Sequence, residues 1–166
     1  MRVTITGSAG DVRAVEALAA GLRNAGHEAV VVGSAEAVGI EAIAAAASGS
    51  DAVVGVADAG PWAVSAAELV GAMGVLAGCD PLLPTRQFAP VVGGVRPPEK
   101  LYRRVGQAVE TLGWLIVGRR VNRERRALGL ARTGNPLHQL RILGSWSPVL
   151  VPTPDDWDAR VTVTGE

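Results

Sequence analysis

Short β-rich runs alternate with longer segments of helical period through the first half of this chain, and that alternation limits the fold more than any single residue does. Residues 2–6 form a β-rich run that stops at Gly7-Ser8-Ala9-Gly10. From Asp11 to Ala25 apolar residues return at helical spacing, at Val12, Val15, Leu18, Ala19 and Leu22. Gly26 supplies a helix stop and His27-Glu28 cross the turn. Residues 29–32 then make a near-continuous apolar run of the kind buried on both faces of a parallel sheet. One βαβ unit closes here, and the pattern recurs. Ser34 is placed to cap a helix over 35–47, residues 51–56 read as a third strand, and 61–73 is an alanine-rich helix leading to a strand at 75–77. The expected fold class is α/β: a Rossmann-like, doubly wound, mostly parallel sheet forming a single domain over 1–166.

The second half is less regular. Between residues 80 and 98 five prolines and the pair Gly93-Gly94 rule out regular structure and mark a surface loop. Beyond it, Leu101, Val105, Ala108, Val109, Leu112, Leu115 and Ile116 fall on one stripe of a long helix, which is expected to lie against the sheet. Residues 122–130 continue that helical pattern with Arg123, Arg125 and Arg126 exposed. Residues 147–152 and 161–163 read as two last strands around a Pro- and Asp-rich turn at 153–158. No internal repeat is visible.

With 48% hydrophobic residues among 166, the chain has enough apolar surface to build a core. Cys79 is the single cysteine, so neither an internal disulfide nor a thiolate metal cluster is expected, and the cytoplasm is the expected compartment. No signal-peptide pattern opens the chain, and no run reaches the ~20 apolar residues of a membrane span. The formal net charge of zero hides an asymmetry: residues 1–95 carry four basic and nine acidic side chains, residues 96–166 twelve and seven. Arg103, Arg104, Arg119, Arg120, Arg123, Arg125 and Arg126 are of the type that binds nucleic acid or an anionic membrane surface. No aromatic residues interleave with them, however, and their helical spacing reads as a solvated face, so neither a nucleic-acid partner nor a membrane-surface contact is expected of them.

In an open parallel sheet, ligands bind beyond the carboxyl ends of the strands, and Gly7-Ser8-Ala9-Gly10-Asp11 occupies the first such loop. Gly7 and Gly10 permit a tight or left-handed backbone and close approach of a ligand. Ser8 offers a hydroxyl, and Asp11 places a carboxylate at the mouth of the first helix. The same residues also fit a plain helix N-cap at Asp11. The spacing is not the dinucleotide fingerprint, because Ala9 and Gly10 break it, and no lysine follows as a phosphate-binding loop requires. An acid at the loop's end repels pyrophosphate, whereas a neutral, hydroxyl-bearing ligand suits it. His27 lies at the opposite, non-catalytic end of the helix. His138 has no assigned role. Trp62, Trp114, Trp146 and Trp157 fit sugar stacking and core packing equally well.

The stretch Thr6-Gly7-Ser8-Ala9-Gly10-Asp11-Val12, followed by Ala25-Gly26-His27-Glu28-Ala29-Val30, resembles the opening of bacterial antibiotic and sterol-type glycosyltransferases of the GT-B fold. That family begins with a strand, a Gly-Ser-Arg-Gly-Asp-Val loop, a helix and a Gly-His-Glu-Val turn. Three further segments are similar to the family's in the same order. They are Asp80-Pro81-Leu82-Leu83-Pro84-Thr85-Arg86-Gln87-Phe88, Val121-Asn122-Arg123-Glu124-Arg125-Arg126-Ala127-Leu128-Gly129-Leu130, and Ser147-Pro148-Val149-Leu150-Val151-Pro152 with Asp155-Asp156-Trp157 and Val161-Thr162-Val163-Thr164-Gly165.

The resemblance implies the acceptor-binding, N-terminal half of such an enzyme. In that role Asp11 is the general base that takes a proton from a small-molecule acceptor hydroxyl as it attacks a nucleotide-activated sugar. It also implies acceptor contacts from Gly7, Ser8, Gly10, Thr85 and Phe88. The domain itself would need no metal or cofactor, since the nucleotide-sugar donor is expected on a second domain beyond Glu166 or on a partner transferase. Ala9 stands where the family has arginine, Arg13-Ala14 where it has Gln-Pro, and the segment between the second and fourth strands is shorter. Ala9 and the shortened middle fit a second expectation, a non-catalytic accessory protein with the same fold that pairs with a full transferase. A third is an unrelated Rossmann-like small-molecule binder. Homo-oligomerisation is left open.

Overall fold

The alternation of runs is realised as six parallel strands. The computed structural model describes residues 1–78, 83–90, 96–149 and 151–164. Cys79, Asp80-Pro81-Leu82, Gly93-Gly94, Leu150 and Gly165-Glu166, singled out above, lie outside the described residues. Strands β1 (Arg2–Thr6), β2 (Glu28–Val31), β3 (Ala52–Val56), β4 (Met73–Gly78), β5 (Arg141–Gly144) and β6 (Val161–Val163) pair in the order β2-β1-β3-β4-β5-β6, each neighbour parallel. The order changes direction between β1 and β3, where Val3 faces Ala52 and Ile5 faces Val54. Such a reversal leaves a crevice at the carboxyl ends of these two strands.

Helices cover both faces, so the sheet is doubly wound. Helix α1 (Val12–Asn24) buries Val15 and Ala19 against Val3, Ile5, Ala29 and Val54. Val12, counted on that stripe, is instead exposed. On the other face α2 (Ala35–Ala46), α3 (Gly60–Val70) and the C-terminal half of α4 (Tyr102–Ala127) join Ile40, Ile43, Ala63, Ala66 and Val121 around Val53. The run at 29–32 is not buried on both faces, because β2 is the sheet edge and Val31 is exposed.

Two local expectations change for clear physical reasons. The Ser34 hydroxyl does not cap α2; it donates to Glu36 Oε2 at 2.6 Å. Gly39, at φ 77°, kinks that helix in a region open to glycine, and the Ile40 amide so released donates to Glu124 Oε2 at 3.1 Å. Glu124 also accepts from Trp62 Nε1 at 3.4 Å, so one α4 carboxylate ties α2 to α3.

Helix α4 is turned the other way from the expectation. Leu112, Leu115 and Ile116 are 60%, 54% and 78% exposed, while Tyr102, Gly106, Gly118, Val121, Asn122 and Arg125 are buried. Arg125, expected in water, is 3% exposed. It donates to Glu68 Oε2 at 2.8 Å, to Ser65 Oγ at 3.0 Å and to the Ala131 carbonyl at 2.8 Å. Gly129, at φ 74°, ends the helix, with the Leu130 amide returning to the Arg125 carbonyl.

The segment 147–152 is no strand among its described residues. Val149 is 87% exposed, and Pro148 and Pro152 supply no amide to a ladder. The fifth strand is Arg141–Gly144, placed between β4 and β6. No helix among the described residues is long and apolar enough to cross a membrane.

Candidate functional site

The β1–α1 loop is built around a close approach at Gly7. A Cβ there would lie 2.6 Å from Val15 Cγ2, and the Gly7 carbonyl accepts the Ala35 amide at 3.0 Å, so this residue fixes the loop between α1 and the start of α2. Gly7 and Gly10 are not left-handed, and a Cβ at Gly10 would meet only Ser8 Oγ at 3.9 Å; neither needs the conformational freedom expected of it.

Asp11 occupies the N-cap position, yet its side chain accepts no hydrogen bond from the first-turn amides. The carboxylate folds back instead. Asp11 Oδ2 accepts the Ser8 hydroxyl at 2.5 Å and the Ser8 amide at 3.2 Å, while the Asp11 amide donates to the Ser8 carbonyl at 3.1 Å. Ser8 therefore holds the acid in place, and its proton is committed to Asp11. The second carboxylate oxygen has no protein partner among the described residues, so it is free to accept from a ligand hydroxyl.

Across the crevice, β3 ends in a 3₁₀ turn (Ala57–Ala59) whose first residue has φ 49°, a strained value for alanine. That turn presents Asp58, an exposed carboxylate with no hydrogen-bond or ion-pair partner among the described residues. Asp58 was not singled out in the sequence. Its signal was positional: it follows the third strand, on the far side of the strand-order reversal from Asp11.

A cavity of about 980 Å³ opens beside Asp58, between α3, α4 and the 83–90 segment. This is the upper end of the range for small-molecule sites. Trp62, Phe88, Tyr102 and Trp114 supply aromatic surface, and Leu76, Leu83, Leu137 and Leu140 supply aliphatic surface. The charged residues in its wall are Glu36, Asp58 and Glu110; among the described lining residues there is no Lys, Arg or His. Glu110 accepts from Asn135 Nδ2 at 2.6 Å and lies 3.2 Å from His138 Nε2. Burial raises its pKa above the usual carboxylate value, with the charge of His138 acting in the opposite direction.

The candidate residues divide between these two places. Thr85 and Phe88 line the cavity, whereas Gly7, Ser8, Gly10 and Asp11 do not. The Thr85 hydroxyl is not free for a ligand: it donates to Asp156 Oδ1 at 2.6 Å, while the Arg86 amide donates to Asp156 Oδ2 at 3.1 Å and Gln87 Nε2 to Asp155 at 3.1 Å. These bonds clasp the 83–90 segment to 155–156, so the expected surface loop is an anchored wall with Thr85 only 5% exposed. The loop and the cavity are joined through α2, since Ala35 binds Gly7 and Glu36 lines the cavity. No group of three His, Cys, Asp or Glu side chains among the described residues is arranged to hold a metal ion. No protein-family model matches the chain, and no curated protein matches it.

Proposed function

We propose that this chain is the acceptor-binding half of a glycosyltransferase, with Asp11 as the general base for sugar transfer to a hydroxyl of an apolar small molecule. The observation that carries the reading is the orientation of Asp11: at the first βα loop, at the strand-order reversal, its carboxylate is turned off its own helix and held by Ser8. A helix cap would look the opposite way. The aromatic cavity supports the second half of the reading, since it accepts an apolar acceptor body and its described lining adds charge at Glu36, Asp58 and Glu110 and an amide at Asn135, while the Thr85 and Tyr102 hydroxyls are engaged by Asp156 and Arg96.

In this mechanism the acceptor's apolar body lies against Phe88, Trp62 and Trp114, and its hydroxyl reaches the crevice. The unpartnered Asp11 oxygen accepts the hydroxyl proton as the acceptor oxygen bonds to the anomeric carbon, and the nucleotide diphosphate leaves with the glycosidic electron pair. The donor binds a second domain, in the same polypeptide or in a partner transferase. Ser8 lowers the freedom of Asp11 rather than touching the acceptor.

The test adds a nucleotide-sugar-binding domain and a UDP- or TDP-sugar to the chain and follows transfer to apolar alcohols. Asp11→Asn is expected to abolish transfer and leave acceptor binding intact, and full activity in that variant would sink the assignment. A second reading is favoured by the absence of Asp11 from the cavity wall: an accessory protein that binds the same ligands and pairs with a complete transferase. Recovery of a full-length transferase with the chain, together with no transfer when only a donor domain is added, selects it.

A further inference from the structure

The arginines of α4 and the apolar stripe before them share one outward face. Leu112, Leu115, Ile116, Arg119, Arg123 and Arg126 recur at offsets of 0, 3, 4, 7, 11 and 14, which keeps them on one side of a helix. All six are exposed. Arg119, Arg123 and Arg126 converge with Arg132 on a second, shallow pocket of about 230 Å³. Arg132 is held there by its neighbours: the Asn122 side-chain amide bonds the Thr133 backbone from both sides, at 3.1 and 2.9 Å, and Arg125 Nε bonds the Ala131 carbonyl. None of the four guanidinium groups around this pocket has a hydrogen-bond or ion-pair partner among the described residues. Four uncompensated like charges in one place repel each other unless an anion joins them, and guanidinium geometry fits phosphate oxygens.

We propose that this face docks on an anionic phospholipid surface, with Arg119, Arg123, Arg126 and Arg132 on headgroup phosphates and Leu112, Leu115 and Ile116 in the headgroup–acyl boundary. Charge complementarity and the apolar residues select this occupant together. A nucleic acid would use the arginines and leave Leu112 and Ile116 without a role, and the pocket offers no aromatic ring for base stacking. An apolar protein face would cover the stripe and leave the arginines unpaired. A helix lying in the plane of the interface uses both, and needs no membrane-spanning segment. Val109 and Ile116 also line the large cavity, so docking sets the cavity mouth at the lipid boundary, from which an apolar ligand can enter.

Vesicle flotation of the full 166-residue chain tests this without any sugar-transfer assay. The chain is expected to float with phosphatidylcholine vesicles that contain phosphatidylglycerol, to stay behind with phosphatidylcholine alone, and to be released by salt. Each Arg→Glu change at 119 or 123 should weaken binding by about fivefold or more, with Arg→Lys at the same positions retaining most of it. Leu112→Ser with Ile116→Ser should weaken it by about tenfold. All these positions are exposed, so unfolding temperatures should match the parent chain. Equal flotation with phosphatidylcholine alone overturns the proposal. So does binding of inorganic diphosphate or duplex RNA without vesicle binding, or a dimer in sedimentation that Ile116→Ser dissociates while vesicles are ignored.

Discussion

Helices α1 and α4 carry the same kind of signal, an apolar stripe at helical spacing, and the fold uses the two stripes in opposite ways. In α1 the stripe faces the sheet, through Val15 and Ala19. In α4 Leu112, Leu115 and Ile116 of the stripe face out, and the inward side mixes Tyr102, Trp114, Val117 and Val121 with small or polar residues, Gly106, Gly118, Asn122 and Arg125. Leu112 and Val121 are nine residues, about two and a half turns, apart and so lie on opposite sides of the helix. The rotation of α4 is set by side chains with specific partners, Glu124 on Ile40 and Trp62, Arg125 on Ser65 and Glu68, Asn122 on Thr133. Periodicity shows that a helix has two different faces. It does not say which one meets the core when directed hydrogen bonds compete with burial.

This comparison breaks most readily at Arg125. Arg125→Ala removes three hydrogen bonds and empties a buried site beside Ser65, at a cost of about 2 to 3 kcal/mol in chemical denaturation, whereas the neighbouring exposed Arg126→Ala should change stability by less than about 0.5 kcal/mol. Equal effects would mean that the polar side does not orient the helix. Next, Val15→Ala in α1 should cost about 2 kcal/mol through lost burial and the cavity left behind, against less than about 0.5 kcal/mol for Ile116→Ala in α4. Glu124→Ala should cost about 1 kcal/mol, because the Ile40 amide loses its acceptor at the Gly39 kink.

The smallest effect is a pH dependence at the inner face. Burial raises the Glu110 pKa in the folded chain, so the folded state holds that proton more tightly than the unfolded one. Its contribution is fully present below the ordinary glutamate range and is lost as pH rises through the raised folded value. Relative to Glu110→Gln, the parent chain should therefore lose stability as pH rises across the weakly acidic range. Replacing His138 by Gln removes the opposing charge and should shift that loss to higher pH.

Much of the frame was legible. The strands at 2–6 and 51–56 and the glycine-stopped helix after the first loop follow from residues whose local preference and burial agree. Strand β5 was not, because only Ile142 and Leu143 of its four residues are apolar and it begins on an arginine; the more apolar 147–152 drew the assignment although its prolines cannot join a ladder. The position of Asp11 was legible from the loop, but not its partner, since the Ser8 bond depends on how a four-residue turn closes. The commitment of Thr85 to Asp156 has no local signal, because it spans 71 residues of sequence. Glu110 carried no local signal, since the groups that meet its carboxylate, Asn135 and His138, arrive from another segment.

Helix α1 begins at the proposed base and helix α4 walls the proposed acceptor cavity, so chemistry and binding are expected to separate cleanly between them. The direct measurement is sugar transfer by the chain with a donor domain, run beside acceptor titration by Trp fluorescence, for Asp11→Asn and Phe88→Ala. Asp11→Asn is expected to lose transfer by about a hundredfold or more with unchanged acceptor affinity, and Phe88→Ala to bind the acceptor more weakly. Undiminished transfer by Asp11→Asn would contradict the proposed role of this residue.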